Sequence, residues 1–143
     1  MGNINSSQNY NLYNFEKIQE SIKNKSIIIN TLSEDNQSCL ISGTTNISDE
    51  VKLLNEYLKT NREIQIIIYG KNNSDNSVIQ KYKQLYGLGF YNVGLYLGGL
   101  FEWLLLQDIY GYDNFPTTSQ ERDILKFKGK SVFNNYYLTN NID

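Results

Sequence analysis

The chain alternates compact β-branched runs with amphipathic stretches, and this alternation carries most of its fold information. Residues 11–24 place Leu12, Phe15, Ile18, Gln19 and Ile22 at roughly helical spacing, predicting a short amphipathic helix. SIIINTL, residues 26–32, predicts a buried strand, and CLISGTTNI predicts a short second strand broken at Gly43. Ser48 reads as the N-cap of a helix with Asp49 and Glu50 in its first turn and Val51, Leu54, Tyr57 and Leu58 on one face. The continuous apolar run 64–69 predicts a strand covered on both faces. A polar six-residue loop follows, then a helix opened by Asn76 or Ser77 that carries Val78, Ile79, Tyr82, Leu85 and Tyr86. NVGLYLGG reads as a fourth strand, and LFEWLLLQDIY as a helix apolar nearly all round and hence mostly buried. FPTTSQERDIL predicts a final short helix started by Ser119.

Strands alternating with helices predict an α/β fold, a small, mostly parallel sheet with right-handed crossovers and helices on both faces. One three-layer domain over residues 11–127 accounts for the pattern, with a flexible segment 1–10 before it and a polar tail 128–143 after it.

Composition mainly excludes. The 143 residues, 40% hydrophobic and 20% charged, are ordinary globular values. A net charge of −2 with no basic block removes the electrostatic footprint of a nucleic-acid binder. There is no His, so a Ser-His-Asp triad, a Cys-His pair and His-ligated metal sites are ruled out. A single cysteine, Cys39, forms no internal disulfide and no cysteine-based zinc site, and it reads as a small buried hydrophobe. No metal or cofactor is expected. The lone thiol and the lack of a signal-peptide pattern point to the cytoplasm. The abundance of Asn, Ile, Lys and Tyr fits an AT-rich coding sequence and says nothing about chemistry.

Two stretches invite chemistry. MGNINS fits M-G-x-x-x-[ST] with Gly2 as acceptor, which raises N-myristoylation. No Lys or Arg precedes Lys17, so the second, polybasic signal is missing and a single acyl chain gives only weak membrane association, K on the order of 10⁴ M⁻¹. GLGFYNVG lacks the third glycine of a dinucleotide-binding turn and follows a helix, so it is a turn.

SIIINTL, LISGTTNI, IIIYG with its loop, and GFYNVGLYLGGLFEW follow one another in an order that resembles a single rhodanese-like domain. Gly89, Phe90, Asn92, Val93, Gly98, Gly99 and Trp103 match the family's G-[FY]-x-N-V-x-x-L-x-G-G-x-x-x-W segment, and Ile41, Gly43, Asn46 and Ile47 match an earlier one. The resemblance covers roughly residues 18–110 and implies a three-layer rhodanese-like fold. In that family a cysteine heads a six-residue active-site loop, and an arginine often ends it. Here the loop is Gly70, Lys71, Asn72, Asn73, Ser74 and Asp75. The nucleophile is gone and the charge at the loop's end is inverted. The family's Asp-x-Arg at the end of the first strand has become Asn30 and Leu32.

The resemblance therefore implies a degenerate site, with the loop exposed at the sheet's carboxyl edge beside residues 30–33 and Gly98-Gly99. Gly70 is expected to hold a positive φ or else to tolerate a cysteine. The chain reads as a catalytically inactive module that binds or scaffolds an unidentified protein, lipid-tethered at Gly2. Two alternatives stay open: a residual sulfurtransferase or phosphatase-like enzyme using Ser74 or Lys71, and a structural component of an assembly such as a virus particle. Phe101, Trp103, Leu104, Leu105 and Ile109 are expected to pack the sheet, while Tyr110, Tyr112 and Phe115 extend as an exposed aromatic interaction surface.

Overall fold

A computed structural model of the chain describes residues 9–129. Its elements run β1 Asn11–Tyr13, α1 Phe15–Asn24, β2 Ile27–Asn30, a 3₁₀ turn Glu34–Asn36, α2 Ile47–Thr60, β3 Ile66–Tyr69, α3 Ser77–Leu88, β4 Val93–Tyr96, α4 Gly99–Tyr110 and a 3₁₀ turn Ile124–Phe127. The four strands form one all-parallel sheet in the order β1-β4-β3-β2.

The pleat sorts the isoleucine runs onto two cores. Ile28, Ile67, Tyr69 and Tyr96 face α1 and α4, packing with Ile18, Leu100, Trp103 and Leu104. Ile27, Ile29, Ile66, Ile68, Val93 and Leu95 face α2 and α3, packing with Leu54, Val78 and Leu85. Because both faces are covered, β2, β3 and β4 are buried at every position, which explains why they read as unbroken apolar runs.

Five local expectations are corrected. Residues 11–13 are an edge strand and not the first turn of a helix, because the Asn14 side chain accepts the Glu16 N–H at 2.9 Å and starts α1 at Phe15. The stretch 39–46 is a turn making two isolated bridges, Ile28 to Thr44 and Ile41 to Thr117, with Gly43 at φ 89°, and Ile47 opens α2. The cap of α2 is Asn46, whose Oδ1 accepts from the Ser48 N–H at 3.0 Å, and the helix turns Glu50 and Leu54 inward while Val51 is 69% exposed. In α4, Leu100, Trp103 and Leu104 take the inward positions at i, i+3 and i+4, so Leu105 and Ile109 fall outside that stripe and are exposed. Ser119 starts no helix, since its hydroxyl donates to the Ser38 carbonyl at 2.8 Å and residues 116–119 run beside 38–42.

Tyr69 links the sheet to the 39–46 turn. Its buried hydroxyl accepts the Ile41 N–H at 3.1 Å and lies 2.8 Å from Thr44 Oγ1, which in turn reaches the Ile41 carbonyl. Burial holds its ionisation well above the usual tyrosine range. Tyr69→Phe should leave the Ile41 N–H buried without an acceptor and lower stability by about 1–3 kcal/mol, read as an earlier urea midpoint. Because the folded-state pKa lies above the unfolded one, the wild-type contribution is complete below about pH 10. It should decline as pH rises beyond that, a dependence that Tyr69→Phe should lack.

Candidate functional site

The loop 70–75 leaves β3 at the carboxyl edge of the sheet and enters α3. The structure brings together the three stretches expected there. The Thr31 N–H donates to the Tyr69 carbonyl at 3.0 Å, and the Leu100 and Phe101 N–H groups donate to the carbonyls of Gly70 and Lys71 at 2.9 and 3.0 Å. Gly99 makes that approach feasible: it sits at φ +69°, and a Cβ there would lie 2.7 Å from the Gly70 oxygen.

Asp75 turns its carboxylate back into its own loop. Oδ2 accepts the Lys71 N–H at 2.9 Å, and Oδ1 accepts the Ser77 N–H at 3.0 Å and the Ser77 hydroxyl at 2.5 Å. The Ser77 hydroxyl lies 2.7 Å from Thr31 Oγ1, tying the carboxylate to the end of β2. An anion bound to converging loop N–H groups is the usual occupant of such a nest. Here the anion is Asp75 itself.

Position 70 is constrained by space and not by dihedral angle. Gly70 is not among the glycines with positive φ, which are Gly43, Gly89, Gly99 and Gly111. A Cβ at 70 would meet Asp75 Oδ2 at 2.6 Å, Val78 Cγ2 at 2.7 Å and Thr31 Oγ1 at 2.8 Å. The place where a nucleophilic side chain would begin is filled.

Nor is the loop uniformly exposed. Gly70 and Asn72 are buried, and Asn73 and Ser74 form the open tip. Asn72 Oδ1 accepts the Ser74 N–H at 2.8 Å, while its Nδ2 donates 2.9 Å to the carbonyl of Phe127, itself buried in the α4-side core. The segment ending at Gly129 thus lies against the loop, and a Cβ on Gly129 would be 3.6 Å from Ser74 Oγ. Ser74 Oγ has an amide neighbour, Asn73 Oδ1 at 3.4 Å, which is no general base.

Asn30 takes the place of the family's acidic residue as a structural group. Its Oδ1 accepts from the Leu32 N–H at 3.0 Å and from Gln37 Nε2 at 2.8 Å, closing the turn after β2. Cys39 is buried elsewhere; burial pushes its thiol above the usual range, and Sγ donates to the Ser119 carbonyl at 3.3 Å. Among the described residues, no three His, Cys, Asp or Glu side chains come together. No described helix is long and apolar enough to cross a membrane.

The expected interaction surface is partly redrawn. Tyr110 and Tyr112 are 62% and 46% exposed, but Phe115 is 4% exposed and belongs to the core. Its ring packs at 5.0 Å on Trp103 and 5.4 Å on Phe15, because the 113–118 segment folds back under α4. Exposed Ile109 and Leu105 take its place beside the two tyrosines. Gly2 lies outside the described residues.

Ser77 and Phe127 are members of the site that the sequence reading missed, whereas Thr31 lies in the 30–33 stretch expected beside the loop. The Asp75-x-Ser77 spacing ahead of an apolar run was a signal for an Asx turn at a helix start. Nothing local announced Phe127.

Comparison with known proteins agrees with this architecture. The Alr3790 protein of Anabaena sp. superposes with a TM-score of 0.51 at 18% identity, covering 80% of this chain and 86% of that one. The rhodanese-like domain of the same protein, solved by NMR in solution, gives 0.49 at 19% identity over 85% and 86%. Thiosulfate sulfurtransferase from Pseudomonas aeruginosa gives 0.49 at 19% identity, covering 66% of this chain and 18% of that one. No protein-family model and no curated protein sequence matches. The fold is that of a rhodanese-like domain, a three-layer α/β architecture on a parallel sheet.

Gly70→Ala should destabilise the protein by about 1–3 kcal/mol through overpacking, measured by urea unfolding. Gly70→Ala with Asp75→Ser should recover part of that loss, since one of the three crowding atoms is removed. A Gly70→Ala variant as stable as wild type would mean the space is not filled. Cys39 should resist an alkylating reagent at pH 8 in the native protein and react at an ordinary rate once unfolded.

Proposed function

We propose that the chain is a catalytically inactive rhodanese-like module of the cytosol that binds a protein partner and is tethered by an acyl chain on Gly2. The observation that carries inactivity is the filled loop. Sulfur or phosphoryl transfer by this fold needs a nucleophile at the loop's head and N–H groups free to hold the transferred anion. Position 70 has no side chain, a Cβ there would crowd side-chain atoms of Asp75, Val78 and Thr31, and the Lys71 and Ser77 N–H groups are bound to Asp75.

Binding is supported by the outer end of α4, where Leu105, Ile109, Tyr110 and Tyr112 are exposed together. A groove of about 490 Å³ runs beside them, with Leu104, Asp108, Tyr112, Glu121, Arg122 and Ile124 in its walls. Such a mix of aromatic, aliphatic and Arg side chains is common where proteins meet.

The purified protein should transfer no sulfur from thiosulfate to cyanide and should not hydrolyse aryl phosphates above background. Turnover that disappears with Ser74→Ala or Lys71→Ala would overturn the inactive reading. Pull-down from the native host should recover a defined protein that Ile109→Lys with Tyr110→Lys releases. Recovery in a particle fraction instead would favour a structural role in an assembly. Expressed with N-myristoyltransferase, the protein should lose Met1 and gain one acyl chain at Gly2 by intact mass; an unmodified terminus would remove the tether.

A further inference from the structure

Helix α4 is apolar nearly all round, yet the domain buries only one side of it. Leu100, Trp103 and Leu104 are buried, whereas Leu105 is 38% and Ile109 68% exposed. Leu105 and Ile109 stand at i and i+4, so they share one flank of the helix as a short apolar ridge. The residue before each of them, Leu104 and Asp108, lies in the wall of the 490 Å³ groove, about 100° further round the helix. Ridge and groove are therefore neighbouring flanks of one surface.

That surface carries charges of both signs. Helix α4 contains Glu102 and Asp108 and no Lys or Arg. Glu102 is occupied, its Oε1 accepting the Tyr96 hydroxyl at 2.6 Å. The groove adds Glu121 and Arg122 to Asp108. Glu121 Oε1 lies 3.1 Å from Lys126 Nζ and is neutralised there. Asp108 and Arg122 form no ion pair among the described residues, with each other or with any other group. Asp123, next to Arg122 in sequence, does not line the groove. One carboxylate and one guanidinium are thus left open on the same surface.

We propose that the partner of this surface is a second copy of the chain. The two copies dock about a two-fold axis, Leu105 and Ile109 of each filling the groove of the other, with Arg122 of each against the other copy's Asp108. The inference rests on reading the surface as protein-binding and names the partner. A two-fold contact sets one patch against itself, so that patch must hold both members of every complementary pair. This one does: a ridge beside a groove, and an unpaired guanidinium beside an unpaired carboxylate. A patch that binds an unrelated protein needs only one member of each pair, the other being supplied from outside. Apolar burial provides the affinity and the charge pair fixes the register.

The test is the mass of the purified full chain by sedimentation equilibrium over a range of concentrations. Wild type should be a dimer that dissociates on dilution. Leu105→Gln with Ile109→Gln should weaken it about tenfold or more, with the urea midpoint unchanged because both residues are exposed. Asp108→Arg and Arg122→Asp should each weaken self-association, since each sets like charges together twice in the dimer. Mixed in equal amounts, those two variants should form a heterodimer of wild-type strength, because both of its contacts then pair opposite charges. Tyr86→Gln with Tyr91→Gln, on α3, should leave the dimer intact; its loss there would move the interface and overturn the proposal. So would a wild type that stays monomeric up to its solubility limit, or a dimer that survives Leu105→Gln with Ile109→Gln. A mixture of the charge variants no more associated than either alone would overturn it too. The purified protein brings no host partner. A monomer that still recovers another protein from the host through Ile109 therefore sinks this proposal and keeps the protein-binding reading, whereas a dimer that recovers nothing else supports it and removes the separate partner.

Discussion

The carboxylate of Asp75 inside its own loop is the contact on which the strand-end geometry depends. A strand that stops and turns into a helix leaves several N–H groups pointing at one spot, and those groups need an acceptor. A diffusible anion would fill that need at the cost of its own freedom. A carboxylate four residues along the same loop is already there. It also takes up the volume in which a side chain at position 70 would begin, so Gly70 and Asp75 form a single constraint: the glycine leaves the space and the aspartate occupies it.

From that contact the loop is fixed in both directions. Its first two carbonyls receive the opening N–H groups of α4, an approach that depends on Gly99 having no Cβ. Its third residue, Asn72, reaches the Phe127 carbonyl, which joins the far end of the described chain to the same point. Ser77 and Thr31 add the link to β2. The loop is thus bonded to α3, α4, the residue after β2 and residue 127.

Much of this was legible in the sequence. Isoleucine runs covered on both faces mark strands of a parallel sheet, and the GFYNVGLYLGG stretch placed Gly98-Gly99 beside the loop. What was not legible depended on distance. Leu12 has the spacing of a helix, but Asn14 caps the helix after it, and local pattern does not say which of two such signals prevails. Phe115 follows two exposed tyrosines, and only the fold-back of 113–118 onto Trp103 buries it. Gly70 is a missing thiol in the sequence. That its space is filled depends on Thr31 and Val78, which reach it from two other elements.

The placement of the exposed apolar residues follows from a mismatch of lengths. Strands of four residues span about 13 Å, whereas helices of twelve residues span about 18 Å. The helices run back against the strands, so their C-terminal turns overhang the amino edge of the sheet, opposite the loop. Tyr86 and Leu88 on α3 and Ile109 and Tyr110 on α4 are those overhanging turns. Continuing the sheet would cover them, but β3 and β4 are preceded by the polar turns around Asn61 and Asn92. The chain thus packs the carboxyl edge of the sheet with its own loop and leaves apolar side chains exposed on the helices.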